Sequence, residues 1–76
     1  MIMTIFIDDI TKVKEFNTLT LKFPCEIDVI SSRYTVDAKS LMGLFSLDLS
    51  KPVNVRFDDE YEELAKVYFS KFEVVE

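Results

Sequence analysis

Histidine and tryptophan are both missing from this 76-residue chain. Without an imidazole there is no His-based general base, no histidine metal ligand and no phosphohistidine. Cysteine occurs once, as Cys25, which excludes an internal disulfide, and nothing near it suggests a metal cluster. Cations are in the minority, with 9 Lys and Arg against 14 Asp and Glu, a net charge of −5 and a pI near 4.6. Nucleic acid is disfavoured as a partner, because few cations are available to neutralise phosphates. No apolar run approaches the roughly 18 residues of a membrane span. The opening MIMTIFI runs into Asp8-Asp9 instead of a cleavage site, so the sequence reads as an intact cytoplasmic chain. Glycine occurs once, at Gly43, and proline twice.

What is present is globular: 49% hydrophobic, 30% charged, seven Phe and three Tyr. The length allows one domain, 1–76, near the lower limit for a stable unstapled core; such a chain buries only about 60% of its unfolded surface. Residues 3–7, MTIFI, are β-branched and aromatic and suit a strand. Asp8 or Asp9 then caps a helix in which Ile10, Val13, Phe16, Thr20 and Phe23 recur at helical steps. The segment NTLTLKF also alternates as a strand would, and both readings stand at this stage. Pro24 is expected to end the helix.

EIDVISS and RYTVDA read as a hairpin turning at Ser31-Ser32-Arg33, with Ile27, Val29, Tyr34, Val36 and Ala38 facing the core. A short helix is predicted over 40–48, a turn at Lys51-Pro52, and a strand VNVRF with Val53, Val55 and Phe57 on one side. The last helix carries a stripe of Tyr61, Leu64, Ala65, Tyr68 and Phe72. Asp59 with Glu62 has the form of a capping box, and Lys66 and Lys71 lie toward the far end. The order β-α-β-β-α-β-α gives an α+β domain with its helices on one face of an antiparallel sheet.

One stretch does not fit a simple core helix. In VDAKSLMGLFSLDL, Leu41, Met42, Leu44, Phe45 and Leu47 spread over more than one helical face. Extended to VDAKSLMGLFSLDLSKPVNVRF, it resembles the corresponding part of HPr, the small phosphocarrier of the bacterial sugar phosphotransferase system. Lys39, Ser40, Leu41, Met42, Gly43, Phe45, Ser46 and Leu47 match one after another the segment that opens the second helix of that family. Weaker similarity runs from Phe6 to Phe72. The resemblance implies an HPr-like open-faced sandwich on a four-stranded antiparallel sheet, in a cytoplasmic bacterial protein. It also implies that the second helix docks partner proteins: Enzyme I, the HPr kinase/phosphorylase and transcriptional regulators.

By the same resemblance, Lys39, Leu41, Met42 and Phe45 are the docking positions, and Leu44, Leu47 and Leu49 belong to the core. Exposed apolar patches on soluble proteins commonly mark such contacts. The family's phosphorylated histidine falls on Asp9, its arginine on Thr11 and its proline on Lys12, so none of the three groups is present. Histidine phosphocarriage is excluded chemically. Asp9 reads as a helix cap before an aspartyl-phosphate acceptor, since Lys12 alone gives an acylphosphate little charge support.

Ser40 reads as a cap of the short helix and as a candidate for regulatory phosphorylation; the two are compatible, because a cap site already favours an anion. The function implied is an HPr-like regulatory or protein-interaction module. It is related to the phosphoenolpyruvate-dependent sugar phosphotransferase system, has no histidine phosphocarrier activity and is not an enzyme. It docks an HPr kinase or a transcriptional regulator through 40–47 and is switched at Ser40. The alternative is a purely structural or homodimerising domain with no phosphotransfer link. No cofactor, metal, nucleic acid or membrane is expected, and the chain is expected to be a monomer or a weak homodimer.

Overall fold

A computed structural model describes residues 1–74. Along the chain run β1 (Ile2–Ile5), α1 (Ile10–Thr20), β2 (Asp28–Ser31), β3 (Tyr34–Asp37), α2 (Leu41–Phe45), β4 (Val53–Arg56) and α3 (Glu62–Phe69). Short 3₁₀ turns at Asp59–Tyr61 and Ser70–Phe72 flank α3. The strands form one antiparallel sheet in the order β1-β4-β2-β3. Alternation decides its faces: Met3, Ile5, Val29, Val53, Val55 and Phe57 are buried under the helices, while Asn54 and Arg56 are exposed on the opposite face. The result is an α+β open-faced sandwich.

The core is held by aromatic rings from three segments. Phe69 of α3 lies 5.0 Å from Phe16 of α1 and stacks on Phe23 at 5.3 Å, with planes 16° apart. Phe72 meets the edge of Phe16 at 6.1 Å, and Phe23 meets Tyr68 at 5.7 Å. Offset and edge contacts of this kind add to the burial of the rings. The β1 edge of the sheet is closed by the segment after α3: Phe6 N donates to Phe72 O (2.8 Å) and Val74 N to Thr4 O (3.0 Å).

Several sequence expectations are corrected. The first helix ends at Thr20, before Pro24, and 20–23 continue as turns in which Lys22 N bonds Leu19 O and Phe23 N bonds Thr20 O. This places Phe23 in the core and removes the strand reading of NTLTLKF. Ile10 is 64% exposed, because the first helical position after the Asp9 cap projects beyond the sheet. Tyr34 is 66% exposed, since β3 is an edge strand and its first residue overhangs the helix layer.

The second helix is five residues long instead of running to 48. Across α3 and its flanking turns the buried stripe is Ala65, Phe69 and Phe72, with Tyr61 and Tyr68 half-buried and Leu64 37% exposed. The helix is rolled toward Phe69 because burying that ring outweighs burying one leucine. The Asp59–Glu62 capping box does not form. Asp58 caps the 3₁₀ turn by accepting from Glu60 N, Asp59 pairs with the Met1 ammonium at 2.7 Å, and Glu62 pairs with Lys66.

Candidate docking surface on the second helix

The start of α2 is fixed from three directions. Ser40 is extended (φ −97°), and its Oγ accepts from Gly43 N at 3.2 Å, which caps the helix. The backbone before it is anchored to α1: the Ala38 carbonyl accepts from Asn17 Nδ2 at 3.1 Å, and the Thr20 hydroxyl also reaches it at 3.2 Å. Lys39 reaches back, its Nζ donating to the Phe23 carbonyl at 2.6 Å. The lysine of the motif thus closes the end of the first helical segment. A β-carbon at Gly43 would stand 3.2 Å from Ser40 Oγ and 3.4 Å from Val36 Cβ, so the chain's one glycine lets α2 lie close to β3. The Ser46 hydroxyl donates to Gly43 O at 2.6 Å and closes the far end.

On this fixed turn the apolar residues divide into two pairs at i, i+3 spacing. Leu44 is fully buried and Leu41 packs half-buried against the core. Met42 and Phe45 are 85% and 44% exposed, neighbours one turn apart on the outer face. Leu47 and Leu49 are half-buried against the core. The scatter of apolar residues over two faces therefore has a structural form, with one pair holding the helix down and the other facing solvent. Burying Met42 in a partner would contribute about 1.5–3 kcal/mol, and Phe45, already more than half covered, roughly half as much. Ser40 is exposed beside them.

Asp9, on which the resemblance to HPr puts the histidine position, is extended and caps α1, its carboxylate accepting from Lys12 N at 2.8 Å. Thr11 is exposed, and Lys12 pairs with Asp8 at 3.0 Å. The hydrogen bond from Lys12 holds the Asp8 carboxyl below its ordinary range, and the same bond raises Lys12. Nothing in this sequence gave away the Lys39–Phe23 contact, which depends on where α1 stops. Cys25 is half-buried against the core. Among the described residues there is no pocket, no group of three side chains placed to hold a metal, and no helix long and apolar enough to cross a membrane.

The structure is similar to a crystal structure of HPr-C-His from Thermoanaerobacter tengcongensis, with a TM-score of 0.78 and 27% identity over 93% of this chain and 88% of that one. No family model matches the sequence, and no curated protein does. The chain has an HPr-like fold.

Proposed function

We propose that this HPr-like chain is a protein-interaction module that docks partner proteins through α2 and carries no phosphoryl group on histidine. The observation that carries the reading is Met42, 85% exposed on a helix whose cap, anchors and buried leucines hold it in place. A large apolar side chain presented on a rigid element costs little ordering entropy when a partner covers it. Phe45 extends the same surface. Lys39 serves it indirectly, by fixing the start of the helix.

The likeness to HPr favours partners that recognise an HPr surface: an HPr kinase/phosphorylase, Enzyme I, or a transcriptional regulator. The missing histidine separates docking from phosphoryl transfer, leaving recognition without cargo. Ser40 supplies the switch. Its hydroxyl is exposed, and a phosphate there would place about two negative charges at the edge of the Met42–Phe45 surface, changing its affinity without unfolding the helix.

The test is a titration of the ¹⁵N-labelled chain with HPr kinase/phosphorylase and, separately, with Enzyme I. Shift changes concentrated at 41–47 are expected with at least one of them. Binding mapped to the exposed sheet face, or no binding to either, overturns the reading. Incubation with ATP and the kinase should add one phosphate, absent from Ser40→Ala; no phosphate on the wild-type chain removes the switch.

A further inference from the structure

The two edges of the sheet are not alike. The β1 edge is occupied by the chain after α3, through the Val74–Thr4 and Phe6–Phe72 bonds. The β3 edge is open: among the described residues no element pairs with it beyond β2. Its pairing pattern shows which backbone groups are unused. The hairpin closes with Ser31 opposite Tyr34 across a two-residue turn, Ser32 being at φ 52°. The pair flanking such a turn is hydrogen-bonded, and alternation makes Val29–Val36 the next bonded pair. The amide and carbonyl of Thr35 therefore point outward, away from β2. Unpaired edges of this kind are templates for another strand.

We infer that the β3 edge pairs with the β3 edge of a second copy, antiparallel and centred on Thr35, to form a continuous eight-stranded sheet. Three features select the same register. Backbone direction comes first: Thr35 opposite Thr35 of the other copy uses the outward amide and carbonyl on both chains. Charge comes second. In this register Arg33, in the turn just before β3, comes to the end of the other copy's strand at Asp37, twice across the dyad. Both residues are exposed, and neither has an ion-pair partner among the described residues. Asp37 moreover faces Asp28 across β2, and the cation there, Arg56, is bonded to Asp28. The Asp37 carboxylate accepts from Lys39 N at 2.9 Å but has no cation paired with it in its own chain among the described residues, and a second copy's Arg33 supplies one.

Side-chain packing comes third. Tyr34 lies opposite the other copy's Val36 on the helix side, covering an aromatic ring that is 66% exposed in the single chain. Such a contact is isologous and closes as a dimer, so it does not propagate into fibres. Four residues per strand and a net charge of −5 on each chain make it weak, and salt that screens the repulsion favours it.

Sedimentation equilibrium from micromolar to millimolar concentration tests this on the full chain. The wild-type mass should rise toward that of two chains. Arg33→Asp and Asp37→Arg should each remain monomeric, because each places like charges opposite each other twice. An equimolar mixture of the two variants should associate as the wild type does, since every pair across the mixed dyad is again opposite in sign. Thr35→Pro should also remain monomeric while the β2 bonds of Tyr34 and Val36 are kept, and Met42→Asp should dimerise unchanged. A wild-type chain that stays monomeric at millimolar concentration overturns the proposal. So does a mixture that fails to associate, or a dimer abolished by Met42→Asp and untouched by Thr35→Pro.

Discussion

Replacing Phe69 by alanine removes the ring at the centre of the aromatic core. Phe69 is fully buried, tilted against Phe16 at 5.0 Å and stacked on Phe23 at 5.3 Å. Truncations of buried phenylalanine cost about 3–5 kcal/mol, from lost transfer energy and the cavity left behind. The upper half of that range is expected here, because two ring contacts are lost together. Stability of roughly 0.05–0.15 kcal/mol per residue gives these 76 residues about 4 to 11 kcal/mol in all. With a urea slope near 1 kcal/mol/M for so small a domain, the midpoint should fall by about 4 M, or the variant should be unfolded in buffer. Leu64→Ala is the control. At 37% exposure it should cost about 1 kcal/mol, although its position in the helical stripe suggests a core residue. Urea titrations followed by far-ultraviolet circular dichroism decide between them. Equal losses in the two variants would refute the reasoning, since they would mean that α3 faces the sheet through Leu64.

Ser40→Ala should cost about 1 kcal/mol by removing the cap on Gly43 N, whereas Ser40→Asp should retain most of it; thermal melts that rank the two the other way contradict the cap. Asp8 should titrate below an ordinary aspartate because Lys12 bonds its ionised form. Its stabilisation is therefore complete above the unfolded pKa of about 4 and lost as pH falls through the lower folded value. Both groups are exposed, so the effect on stability is small and is best read from the Asp8 carboxyl carbon by NMR. Lys12→Met should move that midpoint upward, and an unchanged midpoint refutes the pairing. Incubation with Enzyme I and phosphoenolpyruvate should leave the chain unlabelled, because it contains no histidine; a labile phosphoryl group, on Asp9 for example, overturns this.

The order of elements was legible because it rests on strong local signals. Val53, Val55 and Phe57 alternate, Asp9 caps, and the hairpin turns where small and polar residues cluster. What was not legible depends on partners distant in sequence. The end of α1 is set by Asn17 and Thr20 reaching Ala38 and by Lys39 reaching Phe23, so Pro24 is not what stops it. The roll of α3 is set by Phe69 finding Phe16 and Phe23, which no periodicity within 59–72 reveals. Asp59 was drawn from its expected cap by the Met1 ammonium, 58 residues away in sequence. At the candidate surface, the inward Leu44 and outward Met42 followed from the motif, but Leu41 and Lys39 proved partly structural.

The claim that α2 docks partners by its exposed apolar face is tested most directly by calorimetric titration of Met42→Asp into a kinase/phosphorylase or Enzyme I that binds the wild-type chain. Met42 is 85% exposed, so the variant should melt close to the wild type, while Leu44→Asp, at a fully buried position, should be unfolded by an unpaired carboxylate. Docking through this face requires a folded Met42→Asp chain that has lost binding. A folded Met42→Asp chain that binds as tightly as the wild type contradicts it.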